Sequence, residues 1–139
     1  MLMFYLIRGV FFESNQAGIG RQESFHGVFS FEKKRLVLAS GVIEDRYGYA
    51  TITNITLTPR RFEFTKVYHD RPKRALRYKL IKKKSIWIGV WQHQTIKGDL
   101  GIDGGYANCL TIQIPEKDYS QLYLKPQTQL PLPTNPWTI

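Results

Sequence analysis

Arg61-Phe62-Glu63-Phe64-Thr65-Lys66-Val67-Tyr68-His69 is the stretch on which the architecture turns. Its even positions are Phe62, Phe64, Lys66 and Tyr68, and its odd positions are Arg61, Glu63, Thr65, Val67 and His69. Such alternation puts the two sets on opposite faces of a β-strand, with the aromatic set toward a core. Lys66 then points inward, where an ammonium group is costly to desolvate unless it is paired or bound. The residues on either side extend the pattern. Tyr49 to Leu57 is rich in β-branched residues and stops at Thr58-Pro59, where proline lacks the N–H a ladder needs. Arg74 to Lys82 follows, with Leu76, Tyr78 and Leu80 inward and Arg77, Lys79 and Lys83 toward water.

The segment Ser85 to Gln94 is apolar on both faces, Ile86, Ile88 and Val90 on one and Trp87, Gly89 and Trp91 on the other. It is expected to be buried on both sides. One face lines the core, and the other is covered by the tail, by the N-terminal segment or by a second subunit, so residues 86–90 are a candidate homo-oligomer contact. Leu2 to Phe12, Phe25 to Phe31, Leu36 to Ile43, Thr95 to Ile102 and Tyr106 to Ile114 complete a series of eight or nine strands. They recur at intervals of roughly 8–12 residues, with nothing between them long enough for parallel crossovers. Pairing of the first strand with the last removes both exposed edges. The expected fold is all-β, an antiparallel meander closed into an up-and-down barrel of about eight strands over residues 1–114.

Residues 115–139 differ in composition, holding five of the seven prolines. Glu116 to Tyr123 can make one or two helical turns behind Pro115, and Leu130-Pro131-Leu132-Pro133 favours polyproline II geometry. This Pro-rich C-terminal tail is expected to strap over the barrel and bury Leu122, Leu124 and Trp137.

Charge is unevenly placed. The 139 residues carry 20 Lys and Arg against 11 Asp and Glu, a net +9. Arg60, Arg61, Lys66, Arg71, Lys73, Arg74, Arg77, Lys79, Lys82, Lys83 and Lys84 stand against only Glu63 and Asp70, so residues 60–84 hold the whole excess. Apart from the inward Lys66, these cations are candidates for binding nucleic acid or another polyanion through phosphate neutralisation. The aromatics alternating with them turn away, which leaves charge without the stacking that single-strand readers use.

The single cysteine, Cys109, cannot form an internal disulfide, which fits a reducing, cytoplasmic setting. Met1 to Ile7 is apolar, but Arg8 interrupts it far short of the about 20 residues of a membrane span, and no positive flank marks a signal peptide. No membrane span is expected. His26, His69 and His93 share no metal-ligand spacing, and the Asp99 and Asp103 region lacks the closing glutamate of a calcium loop. Asp103-Gly104-Gly105 is read as a hairpin turn. There is no nucleophile elbow, phosphate loop or dinucleotide fingerprint, and no catalytic set, metal or cofactor is assigned. Cys109 beside Leu110 is read as a small core hydrophobe.

Asp45-x-x-Gly48-x-Ala50-x-Ile52, Phe62-x-Phe64-x-Lys66-x-Tyr68, Tyr78-x-Leu80, Trp87-x-Gly89-x-Trp91 and Gly105-x-Ala107 together resemble small up-and-down barrels of the calycin type, the avidin-like and lipocalin-like proteins. The resemblance covers about residues 25–114. Gly27-Val28-Phe29 stands where lipocalins have Gly-x-Trp, and the serine and asparagine that hold biotin in avidins have no counterpart here. The resemblance implies a barrel that takes a small ligand inside or at its mouth. Lys66, Tyr68, Tyr78, Trp87 and Trp91 are the candidate lining, the alternative being an aromatic-filled core in which Lys66 pairs with Asp45 or Asp103. The expected function is non-enzymatic binding of a small, anionic ligand.

Overall fold

A computed structural model describes residues 2–15, 18–32, 39–94 and 100–127. Eight antiparallel strands follow one another: β1 (Leu2–Asn15), β2 (Gly18–Glu32), β3 (Ser40–Asp45), β4 (Gly48–Leu57), β5 (Arg61–Tyr68), β6 (Ala75–Lys83), β7 (Ile86–Gln94) and β8 (Leu100–Ile114). Each pairs with the next, and β1 also pairs with β8 from Phe4 opposite Ile114 to Ser14 opposite Gly104. The sheet is a closed up-and-down barrel, as the alternation implies. No helix among the described residues is long and apolar enough to cross a membrane.

Alternation sorts the side chains. Ile7, Phe29, Ala50, Ile52, Phe62 and Phe64 have no exposed surface at all. Phe62 stacks on Phe29 at 5.3 Å and tilts against Trp87 at 5.5 Å, while Phe64 stacks on Tyr78 at 4.7 Å. Offset and tilted rings at such distances add about 0.5–1.5 kcal/mol per pair beyond burial. Gly89 leaves space for the neighbouring strand, because a Cβ there would run into the carbonyl oxygen of Lys79.

Register shifts interrupt three of the strand pairings, β1–β2, β4–β5 and β7–β8. Between Thr53 and Thr56 the β4–β5 register shifts, and Asn54 takes a left-handed backbone with φ of 51°. A bulge of this kind inserts one residue and re-aims the strand. It is why Ile52 and Ile55, three apart, are both buried inward. The guanidinium of Arg77 braces the bulge, donating to the Asn54 carbonyl at 3.0 Å and to Thr65 Oγ1 at 3.1 Å.

Two expectations are corrected. Leu100 to Ile102 and Tyr106 to Ile114 belong to one strand: β8 is continuous from Leu100, and Asp103-Gly104-Gly105 lies within it instead of turning a hairpin, while residues 95–99 of the expected strand lie outside what is described. The physical reason is close approach, since a Cβ at Gly105 would collide with the Phe12 carbonyl oxygen and one at Gly104 with that of Trp91. The face of Ile86, Ile88 and Val90 turns outward, with Ile88 38% and Val90 40% exposed. Finally, the helix α1 (Glu116–Gln127) is longer than one or two turns. It packs on the outer wall of β1, β2 and β3, where Tyr119 meets Phe4 at 4.7 Å. Leu122 is half-buried there. The Leu124 side chain, Leu130 to Pro133, Trp137 and residues 36–38 of the expected third strand lie outside what is described.

Candidate functional site

The ends of β1, β3, β5 and β7 and the starts of β2, β4, β6 and β8 gather at one end of the barrel, called the mouth here. Just below it lies a charged core. Lys66 Nζ is 2.5 Å from Asp45 Oδ2, with side-chain exposures of 1% and 0%. Tyr68 donates its hydroxyl to the same oxygen at 2.6 Å, and the Tyr47 backbone N–H donates to Asp45 Oδ1 at 2.8 Å. The ammonium lies over Tyr68 at 4.7 Å, Phe11 at 4.8 Å, Tyr78 at 5.6 Å and Phe25 at 5.8 Å. Burial pushes the Lys66 ammonium below its ordinary range while the Asp45 charge opposes that shift. Burial, reinforced by Asp45, pushes the Tyr68 phenol up. Burial does the same to Tyr78, whose hydroxyl has no hydrogen-bond partner among the described residues.

Above this core is a depression of about 120 Å³. Phe11, Tyr68, Leu76 and Trp91 form its floor, and Glu13, Tyr47, Arg71, Arg74 and His93 its rim. Trp91 meets Phe11 edge-on at 6.1 Å, and its indole N–H donates to the Phe12 carbonyl at 3.3 Å, which fixes the ring. The two arginines are placed by a double turn after β5. The Arg71 N–H donates to the Tyr68 carbonyl and the Arg74 N–H to the Arg71 carbonyl, each at 3.1 Å. Pro72 occupies the second position of Arg71-Pro72-Lys73-Arg74, where its fixed φ suits a β-turn. That turn holds the two arginines at its first and last positions. Neither guanidinium forms an ion pair with another described residue.

The five residues expected to line one pocket occupy three levels of the barrel. Tyr68 and Trp91 reach the mouth depression. Lys66 and Tyr78, each 1% exposed, belong to the packed interior. Trp87 stands near the opposite end, donating to Thr111 Oγ1 at 3.0 Å and bordering a shallow groove of about 440 Å³ with Met3, Tyr5, Phe31 and Leu57. Among the described residues no charged side chain lines that groove. Glu13, Phe11 and Tyr47 escaped sequence reading. The signal for Glu13 was present: Ile7, Gly9 and Phe11 continue to it with period two.

The basic segment does not act as one stripe. Arg71, Lys73 and Arg74 stand at the mouth, whereas Arg60, Arg61 and Lys82 to Lys84 stand at the far end of β5 and β6. Between them Glu63 binds Arg77 at 3.3 Å and Arg61 at 3.4 Å. The Lys82 ammonium lies over Trp87 at 4.6 Å, and Lys79 is exposed. His26 pairs with Glu44 at 3.5 Å, and His69 bonds the Thr51 hydroxyl at 2.9 Å. Among the described residues no group of His, Cys, Asp and Glu is placed to hold a metal. Cys109 is buried in the core, and burial pushes its thiol up to about 12.

Comparison with protein-family models, with curated proteins and with solved structures finds no match to this chain.

Proposed function

We propose that the protein binds a small anionic molecule at the barrel mouth. Arg71 and Arg74 receive the negative group, and Phe11, Leu76, Tyr68 and Trp91 pack against the apolar body. The observation that carries this reading is the pair of guanidiniums, without ion-pair partners among the described residues, on the rim of an aromatic-floored depression. Its volume of about 120 Å³ approaches the about 150 Å³ of an engineered apolar cavity that takes benzene, so it suits a single ring or a group of that size. Forked guanidiniums match carboxylate and phosphate oxygens geometrically. The calycin likeness supports a ligand at this end of a barrel, and in this chain the mouth offers more room than the packed centre.

Trp91 supplies the test. Benzoate and phenyl phosphate should quench tryptophan fluorescence and raise the melting temperature. Replacing both arginines, R71A with R74A, should weaken either ligand about tenfold or more, since a charge-assisted hydrogen bond contributes about 1.5–3 kcal/mol. Equal responses in wild type and double variant would overturn the proposal.

A second reading is association of two copies through the outer face of β6, β7, β8 and β1. What favours it is a group of exposed apolar side chains on neighbouring strands. Ile81 neighbours Ile88, Val90 neighbours Tyr106 and Ile112 neighbours Leu6, and of these Ile81, Ile88, Val90, Tyr106 and Ile112 are exposed. A second copy presents the same face, so isologous pairing hides apolar surface on both sides. Light scattering at micromolar concentration should show a dimer that Ile88→Lys dissociates, and a wild-type monomer would remove this reading.

A further inference from the structure

The mouth is electrically two-sided. In a ring of eight strands, β1 and β5 are four places apart in either direction, so they stand across the barrel from each other. Glu13 belongs to β1, and Arg71 and Arg74 belong to the turn that follows β5, yet all three border the same depression. Beside Glu13, Arg46 at 3.0 Å and Arg21 at 3.6 Å are both held by Glu23. Glu13 itself makes no ion pair with a described residue. Tyr47 lies beside it, its ring 39% exposed and tilted toward Phe11 at 6.4 Å. A cation entering there meets a carboxylate and an aromatic face together.

We infer that the mouth selects dipolar ligands, small molecules bearing an anionic group at one end and an ammonium group at the other, with the ammonium held by Glu13 and Tyr47. This rests on the anion-binding reading above and specifies its ligand class. A singly charged acid would leave Glu13 facing the ligand's apolar body. A dipolar one places an opposite charge against each side of the mouth. The Tyr68 hydroxyl is committed as a donor to Asp45, so it can only accept, which again suits an ammonium. The volume of the site, about 120 Å³, limits the spacer between the two charges to roughly one ring.

The probe is 4-(aminomethyl)benzoate, with benzoate and benzylamine as the singly charged comparisons, each titrated by tryptophan fluorescence and calorimetry. Wild type should bind the dipolar compound about tenfold more tightly than benzoate, a difference of about 1.4 kcal/mol. Glu13→Gln should bring the two acids to equal affinity without weakening benzoate. Glu13 is exposed, and an unchanged urea midpoint will show that the variant is folded. If benzoate binds in an arginine-dependent way but the dipolar compound gains nothing, or if Glu13→Gln keeps the preference, the dipolar inference falls and the anion site stands. If neither acid binds, both fall.

Discussion

Lys66 Nζ and Asp45 Oδ2 lie 2.5 Å apart inside the barrel, on β5 and β3, strands that are not neighbours in the sheet. The pair therefore links the wall across β4. Breaking one half of a buried pair strands the other charge, at a cost of about 3–5 kcal/mol, whereas removing both is far milder. Asp45→Asn should lower the unfolding free energy by that amount, and Lys66→Met in the same chain should recover much of it. A urea double-mutant cycle measures the coupling. Additive single effects would mean that the pair contributes nothing as a pair.

Alkaline pH should unfold the protein early. Burial raises the Cys109 thiol to about 12 from an ordinary 9.0 and lifts the Tyr68 and Tyr78 phenols above 10.0. Between these ordinary values and the raised ones, the unfolded chain releases protons that the folded chain keeps. Stability from these groups is thus complete below about pH 9 and is lost as pH climbs toward about 12. The urea midpoint should fall across that range, and tyrosinate absorbance should rise in step with unfolding. A midpoint indifferent to pH would contradict the burial of these groups.

Asn54 is left-handed at the β4 bulge, a conformation that costs a β-branched residue about 1–2 kcal/mol. Asn54→Val should destabilise by roughly that amount and Asn54→Gly hardly at all, because Arg77 holds the backbone carbonyl and not the side chain. Thermal melts of the two variants decide it, and equal melts would remove the bulge as a backbone constraint.

Gly89→Ala asks for a methyl where the Lys79 carbonyl already sits. The β6–β7 ladder must shift to accept it, at a cost of about 1–3 kcal/mol of the kind seen on overpacking a core. Calorimetric melting should register the loss, and an unaltered melting temperature would show that the two strands separate easily.

The fold was legible because alternation survives in nearly every strand: Phe62, Phe64, Lys66 and Tyr68 fall on one face in the sequence and in the barrel. The site was legible only in parts. Trp87, Tyr78 and Trp91 share an inward face, but Trp87 lies four residues from Trp91 toward the far end of β7, and Tyr78, directly opposite Trp91, is closed into the packed interior. Asp45 was visible as one of two possible partners for Lys66, and only strand order puts it there. Arg71 and Arg74 were counted among a basic stripe, because charge density along a segment does not reveal that the β5–β6 turn holds its cations at the mouth while the start of β5 and the end of β6 hold theirs at the far end. Gly104 and Gly105 read as a turn since composition cannot distinguish a glycine that bends the chain from one that lets another strand pass.

The β1–β8 seam, from Phe4–Ile114 to Ser14–Gly104, makes completion of the barrel wait for the end of its own synthesis. Until β8 has left the ribosome, β1 and β7 remain open edges flanked by aromatic and branched residues, the state in which nascent chains stick to one another. Contacts spanning nearly the whole barrel also close slowly. Production of the soluble protein should therefore respond to slower translation and lower temperature more than the stability of the finished barrel would suggest.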